Sequence, residues 1–183
     1  MKSVSPLRSR LPTHSMSLID ELTQLYNREG FICAGEELLD ISGMRERWAF
    51  LLSLKVEHLK FINHSLGRTV GDSLLIRTTN LLRQTFRKAA VIGRLGADEF
   101  AVLGRAASPS ACAAVLAQLD EAIDADNSSA GLNLSVSGGF SQFDPRYPVS
   151  ITERLMQADT AMKLQQKLPG GAIHDQSSFS SRP

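Results

Sequence analysis

A chain of 183 residues, with 43% hydrophobic and 21% charged residues and a formal net charge of +1, has the mass for one domain with a real core. Near-neutral charge gives no bulk attraction to nucleic acid or an anionic membrane, and no apolar run approaches the roughly 20 residues that span a bilayer. Two cysteines, Cys33 and Cys112, set up neither a disulfide framework nor a metal cluster. Both lie in helix-like apolar stretches and read as buried thiols. The basic N-terminus lacks the apolar centre of a secretory signal, so the chain reads as cytoplasmic.

Residues 1–17 carry Arg, Ser and Pro without periodicity and read as a flexible basic linker; a folded domain is expected over 18–175 and a mobile Ser-rich tail over 176–183. Polar residues from Asp20 to Arg28 suit a structured turn, with Asn27 placed to start a helix. Phe31, Ile32, Ala34, Leu38, Leu39 and Ile41 then have helical spacing over 28–43. The run 48–54 is almost continuously apolar, as expected of a central strand buried on both faces. A short helix over 59–63 is closed by Gly67. A longer one over 70–87 turns Leu74, Leu75, Thr78, Leu81, Leu82 and Phe86 inward.

The apolar runs 89–92 and 100–103 flank Arg94-Leu95-Gly96-Ala97-Asp98-Glu99, a Gly-containing acidic turn, and together read as a β-hairpin. Adjacent strand residues face opposite sides, so Asp98 and Glu99 are expected to do different jobs, one holding a cation or substrate and the other facing a neighbouring element. A helix follows over 109–123, a polar loop over 124–129, a strand over 132–140 and a last long helix over 152–167. Pro169-Gly170-Gly171 stops that helix before a short strand at 172–174. Strands separated by long helices, with one hairpin, give a mixed α/β sheet with helices packed on it.

Three spaced segments now stand out: Asp20-x-Leu22-Thr23-x-Leu25-x-Asn27-Arg28; Lys60-x-Ile62-Asn63 with Gly67 and Gly71-Asp72; and Arg94-Leu95-Gly96-Ala97-Asp98-Glu99-Phe100. A fourth, Ala158-Asp159-x-Ala161-Met162, lies in the last helix. In this order and spacing they resemble the GGDEF domain family, the bacterial diguanylate cyclases, over residues 20–174. The resemblance implies an α/β (α+β) fold like the palm of nucleotide cyclases and polymerases, a central mixed sheet flanked by helices with the signature on a β-hairpin. It also implies a reaction. Two domains face each other, each holding one GTP, and the 3′-hydroxyl of each substrate attacks the α-phosphate of the other. Cyclic di-GMP forms and pyrophosphate leaves, with Mg²⁺ neutralising charge.

Carried over residue by residue, the resemblance makes Asp98 and Glu99 the catalytic carboxylates, Asn63 and Asp72 the guanine-binding pair and Lys60 a phosphate contact. An amide and a carboxylate can together pair with a guanine edge; read from the residues alone, Asn63 and Asp72 could equally cap helices. Metal would fall to Asp98 and the backbone of Val56, but where the family places a further metal-binding Asp this chain has Lys55. A lysine cannot ligate Mg²⁺, which takes oxygen ligands. Glu57, two residues on, offers a rescue with different geometry, and Lys55 is expected to pair with Asp98 or Glu99 in the metal's stead. The second signature glycine is Ala97, strained if that position needs positive φ. Gln166 and Gly170 replace the family's phosphate-binding Lys and Arg, and Lys163 its aromatic residue. Of the family's inhibitory Arg-x-x-Asp, only Arg87 remains, at a place where a basic residue also suits a helix C-terminus.

The sequence thus supports three readings: a GGDEF domain without cyclase activity that serves as a regulatory or GTP-sensing module; an active diguanylate cyclase with an altered metal site; or a dimerisation scaffold that binds no nucleotide. The implied partners are a guanine nucleotide and a second copy or another GGDEF- or EAL-type signalling domain, with no nucleic acid and no membrane contact.

Overall fold

The computed structural model describes residues 17–40, 48–86, 90–105, 108–143 and 150–165. Arg87, Gln166, Gly170, the expected strand at 172–174 and both expected flexible ends, apart from Ser17, lie outside the described residues. The elements run α1 (Arg28–Asp40), β1 (Ala49–Val56), α2 (Leu59–Leu66), α3 (Arg68–Thr85), β2 (Val91–Arg94), β3 (Glu99–Arg105), α4 (Pro109–Ser129), β4 (Val136–Phe143) and α5 (Ile151–Gln165). No described helix is long and apolar enough to cross a membrane.

The four described strands lie in the order β2-β3-β1-β4. The α+β architecture is as expected, but all three ladders are antiparallel rather than mixed. The hairpin is the reason. Strands β1 and β2 run in the same direction, yet the turn at 95–98 sends β3 back between them, so they never pair. Among the described residues a parallel contact survives only as the isolated bridge between Tyr26 and Gly93.

β1 is the axis of the fold. Every residue in it is buried except Lys55, which is half-buried. Its even positions Phe50, Leu52, Leu54 and Val56 pack on Leu59 and Ile62 of α2, Leu74, Leu75 and Leu82 of α3 and Leu116 and Leu119 of α4. The ring of Phe50 stacks on Phe140, centroids 5.9 Å apart. The odd positions Ala49 and Leu51 face Phe31 and Leu39 of α1 and Ile151, Leu155 and Ala158 of α5. Burying each of the leucines contributes about 1.5–3 kcal/mol. The same alternation places Lys55 on the α1/α5 side at the end of β1.

Two departures from the sequence pattern share one cause. Residues 124–129 continue α4 instead of forming a loop, and β4 begins at Val136 rather than near 132. Arg77 of α3 pairs with Asp126, donates to Asn127 Oδ1 at 2.8 Å and reaches the carbonyl of Leu132. Asn127 in turn bonds both the N–H and C=O of Leu134, at 2.7 and 2.9 Å. These side chains satisfy polar groups that a turn would otherwise expose, and they take Leu134 out of the ladder. Cys33 is exposed, contrary to expectation: α1 turns Phe31 and Leu39 inward and Cys33 away. The Cys112 side chain lies outside the described residues.

The N-terminal turn is strapped to the hairpin. Asp20 accepts from the Thr23 N–H at 2.8 Å and its hydroxyl at 2.6 Å, and from Arg94 at 3.2 Å to each carboxylate oxygen. Arg94 also donates to the Ala97 carbonyl at 2.7 Å. Asn27 Oδ1 accepts from the Gly30 N–H at 2.9 Å, which is the expected start of α1. Burial by itself would raise the Asp20 carboxyl, but the Thr23 hydrogen bonds and the Arg94 guanidinium outweigh it and hold it below its ordinary value of 3.8. A depressed carboxyl adds stability above its unfolded value and loses it as pH falls through the folded one. Thermal midpoints measured from pH 6 to pH 2 should therefore fall more steeply below about pH 4 for the wild-type chain than for Asp20→Asn. Parallel curves would show that the strap carries no linked stability.

Candidate functional site

β1 ends at Lys55 and Val56 beside the signature turn, and α2 follows. His58 turns the chain from β1 into α2 with φ 60° and ψ 13°. That left-handed conformation is one that histidine tolerates better than most side chains. Asn63 lies within α2 and Asp72 within α3, whose N-caps are His58 and Gly67. Neither Asn63 nor Asp72 caps a helix, so the capping alternative fails.

Asn63 is half-buried, and its Oδ1 is fully buried without a hydrogen-bond partner. It is pressed against Gly71: a Cβ built there would lie 1.8 Å from Asn63 Oδ1 and 2.9 Å from Cγ. A side chain at this position would displace the Asn63 amide from its present place. Asp72, the next residue, is exposed, as is Lys60 on α2. Buried polar atoms are nearly always paired, so the unpartnered Asn63 Oδ1 is an exception.

The signature turn is closed by Leu95 and Gly96, whose N–H groups donate to the Glu99 carbonyl at 2.8 and 3.4 Å. The Val56 N–H donates to the Asp98 carbonyl at 2.8 Å and fixes the turn to the end of β1. The Glu99 carboxylate meets the Arg28 guanidinium at 3.6 Å, and Arg28 Nε donates to the Leu95 carbonyl at 3.3 Å. The strain expected at Ala97 is absent, because among the described non-glycine residues only Gln24 and His58 have positive φ. Ala97 is exposed, and its methyl is accommodated.

Lys55 stands directly across from Glu99 on β3 and from Ser137 on β4. It makes no ion pair with Asp98 or Glu99, which corrects the expectation that it would pair with one of them. The Glu99 carboxylate instead meets the Arg28 guanidinium. Glu57 is held by the Ser137 hydroxyl at 2.6 Å. Among the described residues no group of three His, Cys, Asp or Glu side chains is placed to hold a metal ion, although Mg²⁺ in nucleotide sites is commonly held by one or two carboxylates together with substrate phosphates. Mg²⁺ demands near-octahedral oxygen ligands. Here the carboxylate in register with Lys55 faces a guanidinium, and an ammonium occupies the adjoining strand position. An ammonium in that position supplies Mg²⁺ with no oxygen ligand.

The last helix supports this region from behind. Ser53 donates to Asp159 Oδ1 at 2.5 Å, and Ala158 and Met162 are buried against the sheet. Lys163 is exposed. The sequence reading missed Arg28 as the partner of Glu99, Arg94 as the strap to Asp20, and Ser53 as the partner of Asp159. Each lies beside a segment already singled out, but which side chain reaches which depends on the sheet register.

Residues 17–170 match the family described as "Diguanylate cyclase, GGDEF domain". The chain is 39% identical over 88 residues to the probable diguanylate cyclase DgcC of Escherichia coli K12, covering 48% of this chain and 24% of that protein. It is 35% identical over 88 residues to the cyclic di-GMP phosphodiesterase NbdA of Pseudomonas aeruginosa, covering 48% of this chain and 11% of NbdA. The chain therefore spans a quarter or less of these relatives' length. Its fold is similar to the crystallised GGDEF domain of DgcB from Caulobacter crescentus, solved with c-di-GMP, with a TM-score of 0.73, 22% identity, and coverage of 86% of this chain and 94% of that one. With the family's match running through the turn, the hairpin and the last helix described above, the chain belongs to the GGDEF (diguanylate cyclase) family of cyclic di-GMP signalling.

Proposed function

We propose that this domain binds GTP or a related guanine nucleotide as a regulatory module and does not condense it to cyclic di-GMP. The observation that carries the reading is the buried, unpartnered Oδ1 of Asn63, set between α2 and α3 beside the exposed carboxylate of Asp72. Guanine offers ring N–H and exocyclic amino donors on one edge, which suits two such acceptors. Adenine does not offer the same pair. Lys60, one helical turn before Asn63, is placed for a phosphate. Asp98 and Glu99 retain the signature's carboxylates, but Lys55 and the Arg28–Glu99 contact oppose the metal on which the family's chemistry relies. The family includes one relative named a probable cyclase and another named a phosphodiesterase, so membership is compatible with a non-cyclising role. A second copy of this domain, or another GGDEF- or EAL-type domain, is the proposed partner.

Calorimetric titration with GTP and with ATP tests the reading. GTP should bind, with ATP at least tenfold weaker, because a site built on hydrogen bonds rejects a base that cannot make them. Equal affinity for the two, or none for either, would overturn it.

A further inference from the structure

We infer that Lys55 meets the nucleotide's phosphates directly, so that triphosphate binding here needs no divalent cation. This inference rests on the guanine-nucleotide reading above and deepens it. Lys55 is half-buried at the end of β1, in register with Glu99 on one side and Ser137 on the other. Neighbouring strands lie about 4.8 Å apart, so its ammonium has reach over both. Yet among the described residues it has neither a hydrogen bond nor an ion pair. Nearby, Glu99 meets Arg28 at 3.6 Å and Glu57 accepts from the Ser137 hydroxyl at 2.6 Å, while Asp98 makes no ion pair with Lys55.

A half-buried ammonium with three donors gains most from an anion that can accept from it in place of water. Lysine is a point-charge phosphate binder. The same strand end leads straight into α2, which carries Lys60 and Asn63; with the base on Asn63, the phosphate chain would pass the end of β1 to meet Lys55 on the α1/α5 side of the sheet. Charge supports the exchange. A carboxylate holding a divalent cation leaves one net positive charge, which an ammonium supplies by itself. A Mg²⁺ bound beside Lys55 would bring charge that its ammonium repels.

The test is titration of the chain with GTP, GMP and guanosine, each in EDTA and in Mg²⁺, for wild type and Lys55→Met. The expected result is GTP binding at least as tight in EDTA as in Mg²⁺. In Lys55→Met, GTP affinity should fall about tenfold or more, the scale of a lost charge-assisted hydrogen bond, while guanosine affinity moves less than about twofold. GTP binding that disappears in EDTA and returns with Mg²⁺ would overturn the inference and leave the guanine reading standing. So would a Lys55→Met chain that binds GTP normally. Failure of GTP, GMP and guanosine alike to bind in both buffers would overturn the guanine reading and the inference with it.

Discussion

Gly139→Ala should destabilise the domain by about 3 kcal/mol or more, at the upper end of overpacking costs. β4 lies so close to α5 that a Cβ at Gly139 would sit 1.9 Å from the Ala158 carbonyl oxygen and 2.5 Å from the Met162 nitrogen. Both are backbone atoms of a regular helix, so no rotamer change relieves the overlap. The helix must retreat from the sheet, opening a gap that loses dispersion contacts along its length and stretching the Ser53–Asp159 hydrogen bond. For a chain of this size each kcal/mol moves the thermal midpoint by about 2–4 °C, so a fall of roughly 6–12 °C, or failure to fold, is expected. Gly131→Ala is the control: its added Cβ meets nothing within 4 Å, and its midpoint should stay within about 2 °C of wild type. Equal midpoints for the two variants would contradict the described packing of α5 on β4.

The second large effect is on binding. Gly71→Ala places a methyl where the Asn63 amide now lies, 1.8 Å from its Oδ1. Unlike the Gly139 case, the obstacle is the end of a side chain, so Asn63 can rotate away. Alanine also gains up to about 1 kcal/mol of helix propensity over glycine. Stability should therefore change little while the guanine acceptor is lost. GTP affinity is expected to fall at least tenfold, the scale of one buried hydrogen bond, with the thermal midpoint of the free chain within about 3 °C of wild type. Unchanged GTP affinity would show that Asn63 does not read the base.

Much of this arrangement was legible in the sequence, and what was not has a common physical origin. β1 showed itself as an unbroken apolar run, because a strand buried on both faces needs apolar residues at every position. The start of α1 showed itself through Asn27, because a side-chain cap is a local device. The extent of α4 and the start of β4 did not, because they are set by Arg77 reaching from another helix to Asp126, Asn127 and Leu132. Polar residues that read as a loop become helix once a distant guanidinium satisfies them. Antiparallel pairing throughout the sheet was hidden for the same reason, since strand adjacency is a property of the whole path and not of any one strand.

At the site, residue identity was informative and residue pairing was not. The replacement of a carboxylate by Lys55 was visible at once. That Glu99 would turn to Arg28, leaving Lys55 without an internal partner, depends on how α1 enters beside the hairpin. The expected strain at Ala97 was an inference from glycine's usual role, and the backbone there does not need it. Asn63 and Asp72, the residues proposed to read guanine, present the reverse case: each could have been taken for a helix cap until its place within α2 or α3 was known.

The most direct measurement is to incubate the purified chain with GTP and Mg²⁺ or Mn²⁺, follow the nucleotide by chromatography, and measure GTP binding by calorimetry on the same preparation. The expected result is GTP bound and recovered unconverted. Accumulation of cyclic di-GMP with repeated turnover would contradict the proposal, because it would require a working metal site at Asp98 and Glu99 despite Lys55.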